Sequence, residues 1–224
     1  MFHRLLADSK VRSAPAWAAA AFVAAVALAP VGASAGPGWT PPASDPLAVE
    51  LFKSARDKKT HFVEPTSKQT WGRAQIYVDA PMKDVRAAIL DYGNWSQYIT
   101  KFQKSKLLKK ESNGSAEVYL QMPILKGAAT LWAVEKFEAP VAEGKGEKIA
   151  GKYQKGNVDD LQAVWHYRPI DDMHTVVTLE IYVQPKLAVP ESLMISQRED
   201  AAGEGVIGVK DRAQQTAAKL VAKK

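Results

Sequence analysis

A histidine beside an arginine, Trp165-His166-Tyr167-Arg168, and one beside two aspartates, Asp171-Asp172-Met173-His174, are where this sequence would first be searched for proton-transfer chemistry. Successive strand residues face opposite ways, so if Trp165 and Tyr167 point inward, His166 points to solvent. Glu180 alternates with Leu179 and Ile181 and reads as outward for the same reason. His174 falls in a turn and reads as an exposed loop histidine. Asp159-Asp160 opens a strand, where turn chemistry explains it better than a carboxylate pair. No serine stands in a nucleophile elbow, no glycine-rich phosphate loop follows a strand, and no His-x-x-x-His occurs. The chain has no cysteine, which excludes disulfides, thiol catalysis and thiolate metal sites, and its four histidines supply a metal centre poorly. No catalytic residue, metal ligand or cofactor is therefore assigned. Arg168 and Tyr167 are left as one polar anchor at the mouth of a cavity.

The elements that must position these residues are legible from periodicity. Asp45 and Pro46 open a short helix with Leu47, Leu51 and Phe52 on one side. Ala74, Ile76 and Val78 alternate with polar or aromatic neighbours in a strand beginning near Thr70. Asp79-Ala80-Pro81 ends that strand and starts a helix with Val85, Ala88 and Ile89 at helical spacing. A second short helical turn carries Trp95, Tyr98 and Ile99. A meander follows, with strands expected at 102–111, 115–123, 127–137, 147–155, 159–168 and 174–184. The connections are short, which favours antiparallel neighbours. Val206, Val209 or Lys210, Ala213, Ala217 and Leu220 then repeat every three to four residues in a long C-terminal helix. The expectation is an α+β domain over 68–222: an antiparallel sheet of about seven strands, two short helices after the first, and one helix for the sheet to cover. Gly203, Gly205 and Gly208 interrupt that helix at about 1 kcal/mol each relative to alanine. Either it breaks near 202–206, or the glycines leave room for a ligand.

Ahead of this domain, Arg4, Lys10 and Arg12 precede an apolar run from Ala14 to about Val31 that ends in Ala33-Ser34-Ala35. This is the three-part pattern of a secretory signal peptide, residues 1–35, and it places the protein in the periplasm or outside the cell. The run is short and alanine-weak for a retained anchor. Cleavage after Ala35 leaves 27 basic and 23 acidic residues, a net charge of +4 against +6 for the whole chain. Residues 36–67 read as a Pro/Gly-rich linker and the short helix. Charge this mild, without like-charge runs, excludes nucleic acid as a partner and leaves room for transient contact with an anionic membrane surface.

Two segments carry a resemblance: Val78-Asp79-Ala80-Pro81-Met82-Lys83-Asp84-Val85 with Asp91-Tyr92-Gly93-Asn94-Trp95-Ser96-Gln97-Tyr98, and Trp165-His166-Tyr167-Arg168-Pro169 with the helix opened by Val189-Pro190-Glu191-Ser192-Leu193. The chain resembles the START-like superfamily (SRPBCC, Bet v 1-like), in particular its polyketide cyclase/dehydrase and coenzyme Q-binding members. The resemblance spans roughly 68–222 and implies the helix-grip fold, in which a curved sheet closes around the last helix. It is weakly specific for ligand, because the fold hosts carriers, receptors and enzymes alike.

A sheet curved over one helix cannot fill its interior as two packed layers would, so a cavity is expected. Alternation nominates its walls: Val118, Leu120 and Met122; Ala163, Trp165 and Tyr167; Val177, Leu179, Ile181 and Val183. Trp95, Tyr98, Leu193, Met194, Val206 and Val209 would close the ends. Any one of these is explained as plain core. Together they suit an apolar ligand such as a lipid, sterol-like molecule, quinone or polyketide. The expected function is an exported binding protein that holds or carries such a molecule. The alternative is a cyclase/aromatase-like enzyme, which requires His166, Glu180 or Arg168 to face the cavity.

Overall fold

The computed structural model describes residues 38–124 and 127–221; the expected signal segment, residues 1–35, lies outside them. The described chain runs α1 (Pro46–Ser54), β1 (Lys58–Val63), β2 (Thr70–Val78), α2 (Met82–Leu90), a 3-10 turn (Tyr92–Gln97), β3 (Lys104–Lys110), β4 (Ala116–Ile124), β5 (Ala129–Phe137), β6 (Val141–Glu143), β7 (Gly146–Gly156), β8 (Val158–Pro169), β9 (Thr175–Pro185) and α3 (Glu191–Val221). All strand pairs are antiparallel and join one sheet ordered β1-β2-β9-β8-β7-β5-β4-β3, with β6 paired to β7. This is the helix-grip α+β fold.

Among the described residues the sheet has nine strands, two more than periodicity indicated. β6 is three exposed residues, too short to show a period. β1 is polar over its first four residues, Lys-Lys-Thr-His, and apolar only at Phe62 and Val63, so it showed no apolar alternation, yet it pairs along its whole length with β2. The sheet therefore begins earlier than residue 68.

Why the chain turns where it does follows from a few side chains. The Asp45 carboxylate accepts from the Ala48 amide at 3.1 Å, and Pro46 starts the helix with its φ already set. At the other end of the next helix, α2 leaves carbonyls without intrahelical partners. The Trp95 indole donates to the Ile89 carbonyl at 3.1 Å, and the Tyr98 hydroxyl donates to that of Ala88 at 2.7 Å. The Trp-x-x-Tyr spacing is thus a cap on α2.

α3 is one unbroken helix through all three glycines. They are points of contact and not breaks. A Cβ at Gly208 would stand 2.2 Å from the Tyr98 carbonyl oxygen, and one at Gly205 would stand 2.4 Å from the Leu179 side chain. Across the contact, a Cβ at Gly72 of β2 would meet the Arg198 backbone at 2.3 Å. At Gly208 and Gly72 the approach is to backbone and excludes a side chain, so the α2 cap and the sheet hold the helix there, whereas at Gly205 it is to the flexible end of Leu179. Arg198 completes the grip. Its fully buried guanidinium donates to the Val183 carbonyl at 3.0 and 3.2 Å, to Thr70 at 2.9 Å and to Glu191 at 2.6 Å.

The outer face of the sheet has a cover of its own. Ala48 and Leu51 of α1 pack on Tyr77 and Val176. Trp39 stacks on the His174 ring at 3.6 Å and donates to Asp171 at 2.9 Å. His174, expected in an exposed loop, is buried, 7 % exposed, between Trp39, Asp171 and Asp79. The covering tryptophan lies 135 positions away in sequence, beyond the reach of local pattern.

Candidate functional site

Between the inner face of the sheet and α3 lies a partly open cavity with almost wholly apolar walls. β4 contributes Leu120, Met122 and Ile124, β8 contributes Leu161, Ala163 and Trp165, and β9 contributes Leu179, Ile181 and Val183. Met194, Gln197, Ala201 and Gly205 of α3 form the opposite wall, with Trp95, Lys101 and Phe102 at one side. The free space amounts to about 40 Å³, room for two or three waters at roughly 10–15 Å³ each. Drug-sized ligands occupy pockets of about 300–1,000 Å³, so the walls stand close together in this conformation.

Nine of the expected residues meet around this space: Trp95, Leu120, Met122, Ala163, Trp165, Leu179, Ile181, Val183 and Met194. The other seven do not line it. Val118 and Val177 are fully buried core, and Leu193 is exposed. Val206 and Val209 are fully buried on α3 in the same core. Tyr98 is spent on capping α2, with the Arg212 guanidinium 5.5 Å from its ring centre. Tyr167 is buried, but its hydroxyl leaves the apolar interior to bond Glu147, which also accepts from Arg86 at 2.8 Å. The spacing of these residues gave the correct face; it did not show where along the face the open space would fall.

Periodicity missed the residue with the most chemical potential. On β5, Leu131, Ala133, Glu135 and Phe137 alternate inward, and Glu135 lines the cavity at 1 % exposure. Its Oε1 has no hydrogen-bond partner. Burial pushes its carboxyl up to about 8; the Ala163 backbone N–H opposes the rise, and the charge of Asp160 adds to it. On β7 the register partner of Phe137 is Gly151, where a Cβ would come within 2.5 Å of the Glu135 Oε1 and 2.6 Å of the Phe137 ring. A glycine here makes the space the carboxyl occupies. A glutamate at an inward place in an alternating strand is a signal that inspection of the sequence alone can find.

His166, Arg168 and Glu180 lie on the outer face. His166 is bonded to Glu143 at 2.6 Å and faces Glu180 at 3.7 Å. Burial alone would lower its pKa, but those two carboxylates outweigh burial and raise it. Glu180 also takes Arg73 at 2.6 Å, and Arg168 is held by Asp45 at 2.5 and 2.8 Å. Glu143, His166 and Arg168 border a groove of about 400 Å³ with mixed polar and apolar walls, and each of the three already has a charged partner. Among the described residues no cluster of histidine, aspartate and glutamate is placed to hold a metal.

Solved structures share this architecture. A STAR-related lipid transfer protein from Xanthomonas axonopodis superposes with a TM-score of 0.61 at 16% identity, over 71% of this chain and 94% of that one. Human STARD10 gives 0.58 at 12% identity, over 83% and 84%. A START superfamily protein from Mycobacterium smegmatis gives 0.52 at 17% identity, over 67% and 98%. At such identities the likeness is one of fold. No curated protein matches the chain. The sequence itself matches a family model over residues 78–206, from the end of β2 to the middle of α3. That stretch holds the α2 cap, Glu135, every cavity wall and two of the three helix glycines outright, and by it the chain belongs to the polyketide cyclase / dehydrase and lipid transport family.

Proposed function

We propose that this protein is an exported binding protein that holds an apolar small molecule, a lipid, sterol-like compound, quinone or polyketide, between its sheet and α3. The observation that carries the reading is the cavity itself: a partly open interior space with mostly apolar walls from four strands and the helix. The family's description, which includes lipid transport, supports it. So does the lipid-transfer protein of the same fold. The pattern in residues 1–35 supports export. A ligand would enter by parting the walls where Lys101, Phe102, Met194 and Gln197 meet, since these include flexible and partly exposed side chains.

The test is extraction of the protein purified from an expressing bacterium, with mass spectrometry of what it releases. A stoichiometric apolar compound is expected. A protein that carries nothing and takes up none of a panel of lipids, quinones and sterols would sink the reading.

A second reading, a cyclase-like enzyme, loses the three residues first nominated for it, because His166, Glu180 and Arg168 face outward. It retains Glu135, an inward acid able to pass a proton to a ligand carbonyl. The same extraction separates the two: a carrier returns an added ligand unchanged, whereas an enzyme returns a cyclised or dehydrated product.

A further inference from the structure

Glu135 is hard to explain as part of an apolar core. A buried oxygen without a partner costs about 1–3 kcal/mol, and a methionine or leucine would fill the same place without that cost. The fold nonetheless gives the carboxyl room by keeping Gly151 without a side chain. It shares the cavity lining with the rings of Phe137, Trp95 and Trp165 and the side chain of Leu120. A second polar atom is stranded nearby. The Tyr92 hydroxyl is buried without a partner, its ring stacked at 5.0 Å on Phe137, and its ionisation feels the charge of Glu135. Of these two unpartnered oxygens, that of Glu135 is the one whose residue lines the cavity.

A carboxyl with its pKa raised to about 8 carries its proton at neutral pH. It then offers one O–H donor and one carbonyl acceptor, and no charge. The partner that satisfies both is a neutral oxygen. A hydroxyl can accept from the acid and donate to Oε1; a ketone or quinone carbonyl can accept from it. An anionic head group would meet the field of Asp160 and, among the described residues, find no cation lining the cavity except Lys101 at the rim. An ammonium group would require the carboxyl to ionise where burial opposes it.

Resting on the carrier reading, we propose that Glu135 is the polar anchor of the cavity and that the ligand is an apolar molecule bearing a neutral hydroxyl or carbonyl, seated with that oxygen against Glu135. The acid gains the partner it lacks, and the rest of the ligand takes the apolar walls. Recognition is by one oxygen, so the ligand's apolar body is chosen by fit and its polar end by kind.

A matched ten-carbon series tests this on the full chain at pH 7: decane, decan-1-ol, 2-decanone, decanoate and decylamine, titrated by calorimetry and by the fluorescence of Trp95 and Trp165. Decan-1-ol and 2-decanone are expected to bind about tenfold tighter than decane, decanoate or decylamine, as befits one buried hydrogen bond. Glu135→Leu is expected to abolish that preference while binding decane at least as well. Glu135→Gln, which keeps a donor and an acceptor, is expected to restore most of it. Equal affinity for alcohol and alkane in the unaltered protein would overturn the anchor while leaving the carrier reading intact, as would tightest binding of the amine or the carboxylate. A preference that survives Glu135→Leu, the acid being solvated only by cavity water, would overturn it too. No binding of any probe would overturn both. The comparison within the unaltered protein stands even if Glu135→Leu fails to fold.

Discussion

An acid that is neutral when folded and ionised when unfolded leaves a mark on stability. The Glu135 carboxyl has a folded pKa of about 8, against about 4.3 in an unfolded chain. Between those values the folded protein holds a proton that the unfolded chain has released, so stability falls as pH rises through the window and levels off above it. Each unit is of the order of 1.4 kcal/mol, so the full effect is several kcal/mol. His166 adds a slope of the same sign above pH 6.5, because its raised pKa gives stability that is lost as pH rises. The informative quantity is therefore the difference between unaltered protein and Glu135→Gln. In urea denaturation the variant is expected to gain on the unaltered protein from pH 5 to pH 9; parallel curves would show that the acid is not buried in this way. Glu135 was legible as an inward residue, because Leu131, Ala133 and Phe137 share its phase. What the sequence did not show is that Gly151, sixteen positions on, would leave it a space. That depends on the pairing of β5 with β7, which shifts register beside Glu135.

At the scale of elements, the last helix is the instructive case. Its glycines read equally as a break or as room for a ligand. The structure shows tight crossings, with Gly205 alone at the cavity wall. Helix propensity cannot separate these outcomes, because the decision lies with Tyr98, Leu179 and Lys59 on other elements. Arg198 was invisible for the same reason. A charged residue on a helix is usually solvated, and this one is buried only because the ends of β2 and β9 bring the Thr70 and Val183 carbonyls to it. Two substitutions at this crossing should be costly. Gly72→Ala drives a Cβ into the Arg198 backbone, which cannot yield, and Arg198→Lys loses the planar fork that bonds two carbonyls and a carboxylate at once. Each is expected to cost about 2–4 kcal/mol in chemical denaturation. Gly205→Ala meets only the end of the Leu179 side chain and gains helix propensity, so it should fall within about 1 kcal/mol of the unaltered protein. Similar losses for Gly72→Ala and Gly205→Ala would mean that the crossing is looser than these distances indicate.

For the whole molecule the question is how so small a space admits a ligand. Apart from β1 and β6, the order of elements was readable from two-residue and helical periods, and one helix against one sheet implied the curvature from which a cavity was expected. Its size was not readable, because volume depends on how far side chains from four elements lean together. About 40 Å³ holds no lipid until the grip relaxes. The deep end is fixed by the Gly208–Tyr98 contact and the α2 cap, and the far end of the helix by Arg198. Beside these anchors, two side-chain hydrogen bonds tie the loop to α3, Lys101 to Gln197 at 3.4 Å and the Thr100 hydroxyl to Glu204, each between exposed or partly exposed side chains. Opening there costs little, so the loop holding Lys101 and Phe102 should move away from α3 as ligand enters. The chain has no cysteine, which makes the idea simple to test. Lys101→Cys and Gln197→Cys together, joined by a short bismaleimide, should bind decan-1-ol far more slowly than the same variant left unjoined. Equal rates would place the entrance elsewhere.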